Sequence, residues 1–321
     1  MDRFSYQIFQ SSIQSGVIES GDRILISISG GIDSMSLFCL LRTFQEKIKL
    51  ELHLLHFHHG LRQESDEEEA FLRQLAEEKK VPITVVRTQS LSGKKGMQNK
   101  ARDWRYQHMK QIAQQVNCSK IALGHHLNDL VETQLWRMSR GASLFSLSPM
   151  LENNPPFIRP LLRIKKNALK EYLLNVKQEW REDPSNQNND YTRNMIRNQL
   201  VPVMRDCSGE QLEEKLLALY DDSLLLREAF AQMIPEEVYQ AEKLDYSIVQ
   251  AQSSLFAMEL LHRFLLYHGQ EEINRKNLIR IERLIRSNQG NWRVSLKNGQ
   301  ALCGKKKQIF FIPDDNPRHR K

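Results

Sequence analysis

Ile24–Ser34, reading ILISISGGIDS, is the stretch that decides the fold. ILISIS is a short apolar run with β-branched residues, which suits a buried strand. Gly30 and Gly31 interrupt it, and from Met35 the pattern MSLFCLLRTF is apolar almost throughout, which suits a buried helix. A strand, a tight glycine turn and a helix N-terminus together make an anion site, because the free N–H groups of the first helical turn and the helix dipole point to one place. The glycines let the backbone approach a phosphate with no Cβ in the way. Ser34 adds a hydroxyl donor. Asp33 is the odd member: a carboxylate repels phosphate unless a cation stands between them, so it reads as a contact to Mg²⁺, direct or through water.

The loop is not a Walker A motif, since no Lys follows Gly31, and it is not the GxGxxG dinucleotide fingerprint. SGGxDS after a strand resembles the pyrophosphate-binding loop of the N-type ATP pyrophosphatases. The plain alternative is a glycine turn that only lets a strand meet a helix; six residues in this setting disfavour it.

Outward from the loop, strands and helices alternate. Phe4–Ile13 is expected as a lead-in helix. Leu50–Phe57 is a second strand, ending in HHGLR (His58–Arg62), and Asp66–Lys79 a helix with an acidic start. Ile83–Arg87 is a third strand, Gly93–Gly96 a basic loop, and Gln98–Val116 a long helix carrying ARDWRY (Ala101–Tyr106). Lys120–Leu123 is a fourth strand ending in GHH (Gly124–His126), followed by a helix over Leu127–Met138. Such alternation means a parallel sheet with crossovers. SGGIDS, HHGLR and GHH then all leave the C-terminal ends of strands, which in an open α/β sheet line one ligand crevice. After Met150 comes the proline-punctuated ENNPPFIRPLL, a helix over Lys165–Leu174, and a turn-rich stretch, REDPSNQNNDYTRNMIR, that becomes helical. A domain boundary is expected near Val201–Gly209. Beyond it lie helices over Glu210–Met233, Ser254–Tyr267 and Asn274–Arg286, then short strands over Trp292–Leu296, Gln300–Cys303 and Gln308–Ile312. The expected fold is α/β: a doubly wound parallel sheet over 1–205, then a smaller, mostly helical domain over 206–321 ending in short strands.

Hydrophobic content of 40% and charged content of 26% are ordinary for a soluble globular protein of 321 residues. The net charge of +7 permits a polyanionic partner. Asn291–Lys321 carries eight Lys/Arg against two Asp, for which a solvated tail is the plain reading. No signal peptide and no membrane span are expected. Cys39, Cys118, Cys207 and Cys303 are far apart and form no CxxC, so reduced thiols in a cytoplasmic protein are expected, with no zinc or iron–sulfur cluster.

SGGIDS, HHGLR, ARDWRY, GHHLNDLVET, RPLL and EDPSN…RNMIR, in this order over about the first 200 residues, resemble the bacterial tRNA(Ile)-lysidine synthetase family. The resemblance implies that ATP adenylates the C2 carbonyl oxygen of the wobble cytidine in a CAU-anticodon tRNA(Ile). The side-chain amine of L-lysine then displaces AMP. It implies ATP contacts at Ser29, Gly30, Gly31, Ile32, Asp33, Ser34, His59, Gly124 and His126, and catalytic roles for Asp33, Arg105, His125, Asp129 and Glu132. Arg102 and Arg105 share a helix face and either could clamp a phosphate or a nucleotide backbone. Asp129 and Glu132 also share a face; they could hold the ammonium groups of lysine or take the proton that makes its amine nucleophilic. HHxxD read as metal ligands ranks lower, because the spacing is not HExxH. His59 divides evenly between a site role and capping or packing. Arg102, Arg140, Arg193, Arg197, Lys305, Lys306 and Lys307 are candidates for tRNA contacts, and a homodimer is allowed.

The chain departs from the family pattern. Asn128, Asp129 and Leu130 stand where the family has two acidic residues and Gln, and His58 where it has Asn or Asp. Ser143, Ser146 and Pro149 stand where glycines are expected, which puts the loop shape in question. The chain is also expected to lack the further C-terminal domain of longer members. Rivals are a tRNA cytidine thiolase, which needs paired cysteines, an ammonia-using ATP pyrophosphatase acting on a small molecule, and a tRNA-binding relative with weakened catalysis.

Overall fold

The computed structural model describes residues 1–58, 63–87, 97–181, 192–209, 211–270, 275–296 and 299–313, with backbone alone at 63–64, 97–101 and 192–193. His59, the Gly93–Gly96 loop, EDPSN and Arg318–Lys321 therefore lie outside the described residues. The chain packs as two units: Met1–Ser139 with Ser148–Leu219, and Arg140–Leu147 with Tyr220–Lys321. The boundary expected at 205 falls inside the first unit, and the short segment Arg140–Leu147 belongs to the second.

The first unit is built on strands β1 (Arg23–Ser27), β2 (Glu51–His58), β3 (Ile83–Arg87), β4 (Lys120–Ala122), β5 (Asn153–Asn154) and β6 (Phe157–Ile158). Their order is β3-β2-β1-β4-β6-β5, parallel throughout except for β5 at the edge. Because successive strand residues point to opposite faces, one run of sequence feeds two cores. Ile24, Ile26, Leu52, Leu54, Ala122 and Ile158 pack on one face. Leu25, Leu55, Phe57, Ile121 and Phe157 pack on the other. Ile24, Leu25 and Ile26 are fully buried, each stabilising by about 1.5–3 kcal/mol relative to exposure. Helices α1 (Arg3–Gln14), α2 (Ile32–Phe44), α3 (Gln63–Glu78) and α6 (Lys166–Asn175) contribute to the first face, and α4 (Met97–Gln115) covers the second. Helix α5 (Leu127–Ser139) follows β4, and α7 (Thr192–Met195), a π-helical stretch (Ile196–Leu200) and α8 (Val201–Ser208) run on from one another.

The strand order supplies what the sequence could not. From β1 the chain moves one way to β2 and β3, then returns to place β4 on the other side of β1. The gap between the ends of β1 and β4 is thus a topological switch point, where open α/β sheets bind ligands.

Helix α9 (Leu212–Met233) runs from one unit into the other. The second unit adds α10 (Glu236–Gln240), β7 (Lys243–Asp245), α11 (Tyr246–Gln250), α12 (Ser254–Tyr267), α13 (Arg275–Arg286), β8 (Asn291–Ser295), β9 (Gln300–Lys305) and β10 (Gln308–Pro313). Its four strands form an antiparallel sheet, β7-β10-β9-β8. Phe145, in a 3-10 turn at Leu144–Ser146, is buried in this unit's core, edge-on to Phe230 and Phe256.

Candidate active site

At the end of β1, Gly30 takes φ +72°, a left-handed conformation that a side chain resists, and so turns the chain toward α2. The helix starts at Ile32, earlier than the apolar pattern from Met35 indicates, with Gly31 as its N-cap and no capping side chain. The first-turn N–H groups are thereby left to an external acceptor. Ser34 does not act as a free donor: its hydroxyl accepts from Ser29 N–H (3.1 Å) and donates to the Gly31 carbonyl (3.1 Å), bracing the loop from inside. The Gly30 carbonyl accepts from Arg181 N–H at 2.9 Å, and the buried His56 ring donates through Nδ1 to the Ile28 carbonyl at 3.1 Å. Both supports come from distant parts of the chain and were not visible in the sequence.

The turn after β4 closes against this loop. A Cβ on Gly124 would stand 3.1 Å from the Asp33 carbonyl, so a larger residue there would push the two strand ends apart by a few tenths of an ångström. His126 is buried, with Nε2 3.3 Å from Asp33 Oδ1 and 3.6 Å from Asp129 Oδ2. Asp129 also accepts the His126 backbone N–H (3.1 Å), the reach-back half of a capping box at the head of α5. His125 is half-buried at the same turn.

Next to this pair stands a second array. Glu132, 2% exposed, receives Arg197 through two hydrogen bonds, Nε to Oε1 at 2.5 Å and Nη2 to Oε2 at 3.1 Å. Arg197 Nη2 is also 3.7 Å from Asp129 Oδ1. Burial opposes the Arg197 charge, but the Glu132 hydrogen bonds and the nearby Glu132, Asp129 and Asp33 carboxylates outweigh it and hold the guanidinium above its ordinary pKa. Lys166 Nζ is 3.7 Å from Asp33 Oδ2. Glu132, Arg197 and Lys166 line a cleft of about 260 Å³ with His126, Asn128, Val131, Val201 and Arg205. Arg197, a candidate for a tRNA contact, lines this crevice. Lys166 was missed because nothing in its local sequence marks it.

Asn128 has a structural use: its Oδ1 accepts Lys166 N–H at 3.0 Å, fixing the start of α6 beside the crevice. Ser143 has an ordinary φ of −72°, and neither Ser146 nor Pro149 is among the positive-φ residues, which in this segment include only Gly141 at 75°. The substituted glycine positions therefore carry no backbone strain.

The remaining candidates lie elsewhere. Arg102 is exposed on α4, with its guanidinium over the Tyr106 ring at 5.3 Å. Arg105, on the same helix, has its pKa lowered by desolvation and then by Arg102. Arg193 is on α7, its side chain outside the described set. Arg140 is in the second unit. Lys305 ends β9, and Lys306 and Lys307 form the two-residue turn to β10 at φ 51° and 61°; all three are exposed. His58, where the family has Asn or Asp, is buried with Nε2 3.0 Å from Asp66 Oδ1.

Asp33 Oδ1 is buried and has no hydrogen-bond partner, and His126 Nδ1 is the same. No group of three His, Cys, Asp or Glu among the described residues could hold a metal unaided. A carboxylate whose Oδ1 makes no hydrogen bond, with the His126 ring 3.3 Å away, suits a Mg²⁺ that takes its other ligands from phosphates and water. No helix among the described residues is long and apolar enough to cross a membrane.

Residues 3–204 match the PP-loop domain family. The tRNA(Ile)-lysidine synthase of Lactococcus lactis is 33% identical over 92% of this chain and 67% of its own length. That of Thermotoga maritima is 32% identical over 78% of this chain, which spans 62% of that relative's length. Among solved structures, a U34-tRNA thiolase from Methanococcus maripaludis, with its [4Fe-4S] cluster, aligns at a TM-score of 0.57 and 14% identity, over 68% of this chain and 77% of that one. That likeness concerns the fold. With the loop, the switch-point crevice and these relatives in agreement, the chain belongs to the tRNA(Ile)-lysidine synthase family of PP-loop proteins.

Proposed function

We propose that the chain joins L-lysine to the wobble cytidine of the CAU-anticodon tRNA(Ile) at the expense of ATP. The observation that carries this reading is the Glu132–Arg197–Asp129 array beside the Asp33–His126 pair at the phosphate loop. One end of the crevice suits a triphosphate; the other suits a substrate with both a cation and a carboxylate.

ATP enters with its phosphates toward the open first turn of α2, whose N–H groups and dipole stabilise the charge that develops as pyrophosphate leaves. Asp33 Oδ1 is the atom that would hold Mg²⁺, which when bound neutralises part of that phosphate charge. His126, between Asp33 and Asp129, keeps both carboxylates oriented. The cytosine C2 oxygen bonds to the α-phosphorus as the bond from that phosphorus to the bridging oxygen breaks and the oxygen leaves with pyrophosphate, and the carbonyl becomes activated. Lysine is held by its charges. Arg197 donates to Glu132 through Nε and Nη2, which leaves Nη1 for the lysine carboxylate among the described residues. Asp129 and Glu132 accept from its ammonium groups and take the proton that frees the side-chain amine. The amine nitrogen then bonds to C2, the C2–O bond breaks, and AMP departs with the oxygen. In this reading the second unit grips the tRNA, with Lys305–Lys307 among its cations.

The test is incubation with ATP, Mg²⁺, labelled lysine and CAU-anticodon tRNA(Ile). Label in a nucleoside after digestion, with AMP and pyrophosphate formed in step, is the expected result. ADP and phosphate as products, or no label in RNA, overturns the proposal.

A further inference from the structure

Within the second unit, the segment Arg140–Leu147 and helices α12 and α13 enclose a cleft of about 240 Å³. Its floor is apolar, with Phe145 and Leu278 buried and Met258 half-buried. Its wall carries the Ser143 and Ser146 hydroxyls and the Glu259 carboxylate. One oxygen of Glu259 is anchored by Arg263 Nε at 2.8 Å; the other is 3.8 Å from His262 Nδ1, too far for a hydrogen bond. The rim carries Arg140 and Arg275, both exposed.

From Arg275 the basic surface continues along α13. Leu278, Ile281 and Ile285 turn inward, while Lys276, Arg280 and Arg283 are exposed. Their spacing of four and three residues places them in one stripe, about 10 Å long at the rise of a helix. None of the three has an ion-pair partner among the described residues, whereas Arg286 on the same helix is tied to Glu282 at 2.5 Å. Exposed cations at regular spacing match a phosphate backbone. An apolar floor beside an anchored acceptor matches a nucleobase turned out of its stack, with amino groups at its edge.

We propose that this cleft and stripe form an RNA-binding site that takes one unstacked nucleotide: the base enters the cleft, and the neighbouring phosphates lie on Arg140, Arg275 and the outer face of α13. The proposal rests on the reading of the chain as a tRNA-modifying enzyme and adds where, and by which chemistry, the RNA is gripped.

The experiment measures binding of the full chain to two RNAs, a CAU anticodon stem–loop and a blunt duplex of equal length, across a salt series. The paired variant Lys276→Glu/Arg283→Glu is expected to weaken both at least tenfold and to lower the salt slope by about one to two. Ser143→Trp, which fills the cleft, is expected to weaken the stem–loop at least tenfold and the duplex less than twofold. Leu255→Trp makes the same test if Ser143→Trp melts below the wild type. An unchanged salt slope in the paired variant overturns the proposal. So does a cleft variant that affects both RNAs alike or neither, and so does a wild-type chain that binds neither RNA. Lysine attachment is assayed in parallel. Binding as expected without lysine attachment fails the activity reading alone, and attachment with unaffected variants fails this inference alone.

Discussion

Replacing Arg197 with Met removes the guanidinium that makes two hydrogen bonds to a buried carboxylate. Glu132 is 2% exposed, and Asp129 stands on the same helix one turn away, so the variant leaves two acidic groups close together without the guanidinium between them. Breaking a fully buried pair in this way costs about 3–5 kcal/mol. Arg197 is 32% exposed, and water screens that part, so about 2–3 kcal/mol is the better figure here. For a unit of this size each kcal/mol moves the midpoint by about 2–4 °C, which gives a fall of roughly 4–12 °C. Near-UV circular dichroism of the full chain during heating measures it. Glu132→Gln alone and the double variant Glu132→Gln/Arg197→Met complete a cycle, because neutralising the carboxylate removes the reason for the loss. A coupling above about 1 kcal/mol is expected, since contacting charges are not additive. Additivity within about 0.5 kcal/mol would mean that the two side chains do not hold each other, and the argument for a preorganised lysine site would fall with it.

Asp33→Asn keeps the shape of the loop but loses the anionic oxygen that faces His126; release of AMP and pyrophosphate should drop by about 10²–10³ at an unchanged melting midpoint. Wild-type turnover by this variant at low Mg²⁺ removes Asp33 from the chemistry. Gly304→Ala puts a Cβ inside the contact distance of the Tyr246 hydroxyl and the Trp292 indole; overpacking of this kind costs about 1–3 kcal/mol, and Trp292 emission in urea should report earlier unfolding. Burial pushes the Cys39 thiol up to about 11, against the pull of Lys79 and Arg42, while Cys207 is exposed. A thiol reagent at pH 8 should therefore label Cys207 and spare Cys39, as peptide mapping can check.

The elements that carry a strong period were legible in the sequence. Ile83–Arg87 and Ser254–Tyr267 have the expected ends, and Ile24–Ile26 in β1 are the buried run that ILISIS suggests. What escaped were features set by tertiary contact. Strands β5 and β6 are two residues each and flank the cis Pro155–Pro156 bond, too short to show alternation. Strand β7 exists because β10 pairs with it. At the site, residues on one turn could be grouped by spacing, as Asp129 and Glu132 were. Arg197 lies 65 positions from Glu132, and no local pattern announces that bond. The basic face of α13 was in plain view in RKNLIRIERLIR, but charge was weighed in the terminal stretch instead.

The placement of Arg140–Leu147 has a consequence for how the molecule is made and how it can be divided. Phe145 belongs to a core whose other members, Phe230 and Phe256 among them, come much later in the chain. During synthesis the segment leaves the ribosome long before its partners, so the second unit cannot close until the rest of the first has been translated. Neither unit is a contiguous block of gene. A graft that transplants only the portion beyond Leu219 would leave behind an aromatic keystone, and a recipient scaffold would have to supply that loop from the middle of its own sequence.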